Sequence, residues 1–236
     1  MIDIHSHILF EVDDGAKSLQ ESVAMLKDAK AQGVHVIVAT PHYRHGMFAY
    51  PTEQVEKHFL ILKQEAKQIG IELYLGAEMH VNSMTIEYIE NGRCHTLADT
   101  SYVLAEYKYE ADFSYIKESV QELLRHGYIP IVAHVERYRC MEKLENVEFL
   151  REIGAMIQVN ADAIIGKDGF RAKRYTKKLM QNGLVDFVAS DSHGMKERRS
   201  NMAKCREYLY KRYDRRYIDK ILKGNAEKIL LSAEEM

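Results

Sequence analysis

Apolar and β-branched residues gather in seven short runs, at residues 2–4, 35–39, 71–75, 102–105, 129–133, 155–159 and 185–189, which recur about every 30 residues. Continuous runs of this length suit strands buried on both faces of a parallel sheet. Between them the period changes to that of a helix. Ser18 and Glu21 form a capping box before Leu19, Val23 and Leu26, and Gly33 ends that stretch. Val55, Phe59, Leu62, Ala66 and Ile69 make a second apolar stripe that stops at Gly70. Phe113 and Ser114 open a third, with Ile116, Val120, Leu123 and Leu124, ending at Gly127. Strands alternating with helices build parallel sheets through right-handed crossovers. Seven units in one α/β chain predict a closed seven-stranded β/α barrel more than an open sheet, and no eighth unit is visible. The doubly wound alternative loses its nucleotide-binding version, because no GxGxxG comes after the first strand. With no repeat, low-complexity tract or linker, residues 1–236 read as a single domain.

Charge narrows the choice of partner. Thirty-three Lys and Arg against 35 Asp and Glu leave a formal charge of −2, which gives no global pull towards nucleic acid or anionic lipid. No apolar run approaches the roughly 20 residues of a membrane span, and the first residues read as a strand, not as a leader. A cytoplasmic location without membrane insertion is expected. The three cysteines, Cys94, Cys140 and Cys205, are odd in number and lack CxxC spacing, so neither a disulfide framework nor a structural zinc site is expected.

The chemistry-bearing residues sit just past the strand ends: His5 and His7, His42, Glu78, Glu106, His134, Asn160, and Asp191 with His193. Asp13 and Asp14 lie in the first loop. In a parallel barrel these loops open on one face, where residues distant in sequence converge. Taken singly, each is ordinary: a His-x-His pair arises by chance, and a glutamate at a loop start is usually a surface residue. Together, imidazoles and carboxylates on one face need cations between them. A donor set of imidazole and carboxylate without thiolate suits Mn²⁺, Fe²⁺ or catalytic Zn²⁺. Nine candidates (His5, His7, Asp14, His42, Glu78, Glu106, His134, Asp191 and His193) exceed what one ion requires, so two or three ions are expected.

His5-Ser6-His7, Asp13-Asp14-Gly15, Thr40-Pro41-His42, Gly76-Ala77-Glu78, His134-Val135-Glu136-Arg137-Tyr138, Ser190-Asp191-Ser192-His193 and Gly224-Asn225-Ala226 resemble the motif series of the polymerase and histidinol phosphatase superfamily. Within it the chain is most similar to the bacterial manganese-dependent protein-tyrosine phosphatases of capsule and exopolysaccharide gene clusters. The resemblance implies a distorted seven-stranded β/α barrel with three metal ions that hydrolyses phosphotyrosine on a bacterial tyrosine autokinase. By motif, His5, His7, Glu78 and Asp191 would hold one ion. Asp14, His42 and His193 would hold a second, and Glu78, Glu106 and His134 a third, with Glu78 bridging. Motif alignment alone prefers Asp14 to Asp13, and Glu106 has the loosest context.

A multinuclear site suits phosphate-ester hydrolysis because cations neutralise phosphoryl oxygens and lower the pKa of a bound water. Arg137, three residues after His134, and Arg198, in the loop after His193, are candidates to grip the phosphoryl group. Arg198 belongs to the basic stretch 196–216, with nine Lys or Arg against three acids, which also reads as a solvated face. The cysteine-nucleophile route needs an arginine six positions after the cysteine. Those positions hold Thr100, Asn146 and Lys211. The remaining alternatives are a small-molecule phosphatase, such as one acting on histidinol phosphate, and a nuclease or non-catalytic metal-binding module.

Overall fold

Each of the seven apolar runs contains a strand in the computed structural model, which describes residues 1–44, 46–48 and 50–234. The strands are β1 (Ile2–Ser6), β2 (Val36–Ala39), β3 (His42–Tyr43), β4 (Glu72–Leu75), β5 (Glu78–His80), β6 (Tyr102–Glu106), β7 (Ile129–Val132), β8 (Met156–Asn160) and β9 (Phe187–Ala189). Every pairing between them is parallel. They form a three-stranded sheet, β1-β2-β4, and a six-stranded sheet, β3-β5-β6-β7-β8-β9.

The expected α/β architecture with a curled parallel sheet is present, while the strands of the expected seven-stranded barrel appear as nine short strands in two parallel sheets among the described residues. Two strands are interrupted. Thr40 and Pro41 separate β2 from β3, and Gly76 and Ala77 separate β4 from β5. Pro41 brings no N–H to the ladder. At Gly76 a side chain would meet Leu97, whose Cδ2 lies 2.8 Å from the position of a Cβ. The interrupted pieces still run side by side, since the Gly76 N–H donates to Ala39 O (2.8 Å) and the Glu78 N–H to Pro41 O (3.1 Å). At the other margin the chain just after β9 returns to β1. Asp191 N–H donates to His5 O and His7 N–H to Ser192 O, both at 2.9 Å, and Ser6 bridges Ser192 in parallel. The sheet is therefore strongly curled.

The curl sorts the strand residues into two cores. Ile2, Ile4, Val38, Leu104, Ile131, Ala133, Phe187 and Ala189 come from five different strands or their ends and bury one another on the concave side. Leu97 and two residues of the last helix (Asn225–Glu234), Ala226 and Ile229, complete that cluster. The alternate residues Ile37, Ala39, Leu73, Leu75, Val103, Ala105, Val132, Ile157, Val159 and Val188 pack outward with the helices. Asn225 ties the last helix to the sheet by donating from Nδ2 to Asp186 O (2.8 Å).

The three expected helices are Leu19–Ala31, Thr52–Ile69 and Phe113–Arg125, with Gly33, Gly70 and Gly127 in the left-handed region beyond them. Only half of the capping box forms. Ser18 Oγ accepts from Glu21 N–H (3.2 Å), but the Glu21 carboxylate accepts from Lys17 N–H (3.0 Å), one residue before the cap.

One irregularity in β1 positions the site. Asp3 pairs with Ile37 and Ser6 with Ala39, so β1 uses three steps where β2 uses two. Ile4 lies in the concave core, whereas Ser6 pairs with Ala39, which faces outward. The extra residue lets His5 follow Ile4 into the concave side, and His7 joins it there. A bulge re-aims side chains in this manner.

Candidate metal centre

Eight of the nine expected donors are enclosed or nearly so, and all nine lie together at the ends of the strands. Glu78, at the start of β5, is the hub. It is fully buried among four imidazoles: His134 Nε2 at 2.7 Å, His42 Nδ1 at 2.8 Å, His7 Nε2 at 3.3 Å and His5 Nε2 at 3.4 Å. Asp191 Oδ1 lies 3.4 Å from His5 Nε2 and 3.5 Å from His7 Nε2, and those two nitrogens are 3.3 Å apart. Imidazole and carboxylate donors this close together are of the kind that hold a cation.

Asp14 sits at the open side, half exposed, with Oδ1 3.4 Å from His193 Nε2 and 3.5 Å from His42 Nε2. Glu106, at the end of β6, joins His42 and Glu78 with one donor atom of each within 4.8 Å of the others. The same spacing gathers His7, Asp14, His42 and His193, then His5, His134 and Asp191, then His5, His7 and Glu78. These groups place His7 with the second expected ion and His134 with the first. Neighbouring donors are so close that one imidazole faces two positions.

Two observations test whether the cluster fits cations. Buried His42 Nδ1, Glu78 Oε2 and His193 Nε2 make no hydrogen bond of acceptable geometry, although each has a polar neighbour within 3.5 Å. Buried polar atoms without a well-formed hydrogen bond are costly, and a cation among them would remove that cost. The second is charge. Glu78 and Asp191 are both buried, and nearby imidazoles hold each well below the usual carboxylate range against the opposing effect of burial. His5 and His7 feel the same field: burial lowers their pKa, but the surrounding carboxylates raise both above the ordinary value. Burial brings His134 down and His193 to about 4, leaving both neutral and ready to donate a lone pair. The residues fit.

The supporting bonds give a physical reason to separate Asp13 from Asp14. Asp13 Oδ2 accepts from His7 Nδ1–H (2.8 Å) and His42 N–H (2.9 Å), and its Oδ1 accepts from Gly15 N–H (2.8 Å). Asp13 therefore orients the His7 ring, whose Nε2 is left for the cluster, while Asp14 faces the cluster itself. Gly15 is needed because a Cβ there would lie 2.1 Å from His7 O.

Of the other supports, Asn160 is marked in the sequence as a polar strand-end residue, whereas Gln158 and His80 are not. Gln158, on the concave face of β8, accepts at Oε1 from His5 Nδ1–H (3.2 Å) and His134 N–H (2.8 Å), and donates from Nε2 to Asn160 Oδ1 (2.8 Å). Asn160 Nδ2 in turn donates to Asp191 Oδ2 (2.8 Å). A glutamine inside an otherwise apolar strand was the available signal. His80 lies 3.2 Å from Glu106 Oε2, and Tyr138 Oη lies 3.3 Å from His134 Nδ1. His134 and Asp191 hold positive φ, 32° and 49°, a strain that surrounding contacts must sustain.

Both expected arginines reach the cluster. Arg137 Nη2 donates to Asp191 Oδ2 (2.7 Å), and Arg198 Nη2 lies 2.9 Å from each Asp191 oxygen. Their side chains are about 40% exposed, 40% for Arg137 and 41% for Arg198, so each spans from the buried carboxylate to solvent. Beside Arg137 opens a cleft of about 720 Å³, lined by His134, Glu106, Arg137, Tyr107, Tyr109, Arg44 and Arg171 among others. The cysteines are elsewhere: Cys94 and Cys205 are buried, Cys140 is half-buried, and burial pushes all three thiols up. None has the depressed pKa of a nucleophile.

A curled parallel α/β sheet whose strand ends gather four carboxylates and five imidazoles, with two arginines on one of those carboxylates, defines a protein with a side-chain cluster able to hold metal ions beside an open cleft. Residues 1–231 match the family described as "Capsular polysaccharide synthesis, CpsB/CapC", and the chain belongs to that family. It is 34% identical over 239 residues to the tyrosine-protein phosphatase CpsB of Streptococcus pneumoniae, covering 98% of each chain. With the tyrosine-protein phosphatase YwqE of Bacillus subtilis it shares 30% identity over 233 residues, 98% of this chain and 91% of that one. Among solved structures, one described with YwqE and CpsB as "unique metal-dependent tyrosine phosphatases" superposes with a TM-score of 0.91 at 30% identity, over 98% of this chain and 95% of that one. A phosphotriesterase homology protein from Escherichia coli, at 13% identity and a TM-score of 0.61 over 97% of each chain, shares the fold alone.

Proposed function

We propose that this chain is a metal-dependent phosphatase that hydrolyses phosphotyrosine in a protein, in particular a bacterial tyrosine autokinase governing capsular or exopolysaccharide synthesis. The observation that carries the reading is the set of buried donor atoms on Glu78, His42 and His193 without a well-formed hydrogen bond, close to two arginines on Asp191. Membership of the CpsB/CapC family and similarity to named tyrosine phosphatases support the substrate class.

The ions are two or three, with Mn²⁺ the first choice and Fe²⁺ or Zn²⁺ as alternatives, since the donors are imidazole and carboxylate. His5, His7, Glu78 and Asp191 would hold one; Asp14, His42 and His193 a second; Glu78, Glu106 and His134 a third. When bound, they supply charge neutralisation for the phosphoryl oxygens and a water made acidic enough to attack near neutral pH. The chain's own contribution is positioning. Arg137 lines the cleft and Arg198 lies on the same Asp191 carboxylate, so both are candidates to hold phosphoryl oxygens. Gln158 and Asn160 fix His5 and Asp191, and Asp13 fixes His7. No thiol takes part.

Residues 1–236 are read as one domain and the curled sheet as a distorted barrel of seven β/α units, a reading supported by the bond between the chain after β9 and β1. No helix among the described residues is long and apolar enough to cross a membrane, and a cytoplasmic setting is proposed with the intracellular substrate. The test combines metal analysis with a panel of phosphotyrosine peptide, histidinol phosphate and single-stranded DNA. Preference for the peptide, abolished by chelation and restored by Mn²⁺, is expected. Preference for histidinol phosphate moves the assignment to a small-molecule phosphatase, and metal-independent hydrolysis overturns it.

A further inference from the structure

The cleft beside the cluster does not end at Arg137. Glu136, Glu142 and Arg171 also line a second hollow of about 250 Å³, which continues past Phe170, Arg174 and Lys178. The wall of this continuation is the helix Phe170–Gln181, which carries Arg171, Lys173, Arg174, Lys177 and Lys178 and no acidic residue, in a chain of net charge −2. Two of these cations are occupied: Arg171 pairs with Glu142, and Lys173 donates to Ile165 O and lies over the Tyr208 ring. Arg174 and Lys178 are exposed, four residues apart on the cleft side, and make no ion pair among the described residues. Arg44 and Lys108, at the other end, are likewise unpaired among the described residues. Against these four stand two acids of the lining that are outside the cluster and make no ion pair among the described residues, the exposed Asp168 and the half-buried Glu136, which accepts from Asn160 N–H. Phe170 stands 80% exposed where the helix begins.

We infer that the groove from Arg137 to Lys178 binds the chain flanking the phosphotyrosine, and that it selects a flank rich in Asp and Glu. The inference rests on the phosphotyrosine phosphatase reading above. A phosphoryl group held at Arg137 puts the following residues of an extended peptide, at about 3.3 Å each, along the helix Phe170–Gln181. Like a charged rim elsewhere, the unpaired cations there act on association and on the choice of partner more than on the reacting bond. Phe170 offers an apolar face between them.

The experiment measures kcat/KM for three Mn²⁺-loaded proteins: wild type, Arg174→Glu with Lys178→Glu, and Lys177→Glu with Lys204→Glu. The last makes the same change of net charge at exposed positions that do not line the groove. Each is assayed on one phosphotyrosine peptide in three forms, with glutamates on both sides, with glutamines on both sides, and with a second phosphotyrosine among glutamines. Wild type should prefer the glutamate form over the glutamine form by roughly five- to tenfold at low salt, and the preference should fade at high salt. The groove variant should lose it and the control variant keep it. Equal rates on glutamate and glutamine forms, or equal loss in both variants, overturns the inference. A doubly phosphorylated peptide favoured over the glutamate form overturns the assignment to carboxylates. Failure of all three peptides would instead overturn the phosphatase reading.

Discussion

Replacing Asp13 by asparagine removes one charge and one acceptor from a residue that touches no ion, and the consequences can be counted. The carboxylate accepts three bonds, from His7 Nδ1–H, His42 N–H and Gly15 N–H. An amide has one acceptor oxygen. Placed where Oδ2 lies, it serves His7 and His42 but turns its NH₂ towards the Gly15 N–H. Placed where Oδ1 lies, it serves Gly15 but turns its NH₂ towards His42 N–H and forces His7 to accept at Nδ1, which puts the proton on Nε2. Each arrangement orphans one buried N–H, at about 1–3 kcal/mol of stability, but only the first leaves the His7 Nε2 lone pair for an ion, so metal binding selects it and His7 keeps its tautomer. The charge that raised the basicity of His7 is also gone. Loss of such a supporting carboxylate lowers metal affinity by about 10–100-fold; with the tautomer retained, the lower end is expected for Asp13→Asn and the upper end for Asp13→Ala. The assay titrates Mn²⁺ into metal-stripped protein and reads bound metal and phosphotyrosine hydrolysis together, with urea unfolding of the apo proteins alongside. Activity of Asp13→Asn should return at high Mn²⁺. A folded Asp13→Asn protein with an unchanged half-saturating Mn²⁺ concentration refutes the orienting role, as does an equal loss for both substitutions.

Arg137→Lys keeps the charge but loses the planar fork, and a charge-assisted hydrogen bond of about 1.5–3 kcal/mol predicts a rate on a phosphotyrosine peptide lower by roughly 10–150-fold with metal content unchanged; unimpaired hydrolysis would remove Arg137 from the mechanism. His193→Ala should abolish hydrolysis, whereas Cys140→Ser should be nearly silent, because that thiol is half-buried, with its pKa raised; inactivity of a folded Cys140→Ser protein would restore a thiol mechanism. Gly15→Ala would put a Cβ 2.1 Å from His7 O, so about 1–3 kcal/mol of stability should be lost to overpacking together with Mn²⁺ affinity; wild-type melting and titration would show that the loop yields freely.

Chain order and residue type settled a good part of this protein in advance. Apolar runs that must be buried on both faces marked seven strands, and the polar residues after them marked nine side chains that the fold gathers into one cluster, because parallel strands deliver their ends to one side whatever the loops do. Periodicity is local, so it survives without knowledge of neighbours. What it could not carry is register. The extra residue in β1 turns His5 to the concave side with Ile4, and it arises from how β1 meets β2. The breaks at Pro41 and Gly76 likewise depend on adjoining strands and on Leu97. The supporting bonds from Asp13, Gln158, Asn160 and His80 join residues whose partnership exists only once the strands are side by side. Arg198 is the clearest case. Its sequence neighbourhood reads as a solvated basic face, yet folding sets its guanidinium 2.9 Å from both oxygens of Asp191, because position beside a buried carboxylate is a property of packing and not of composition.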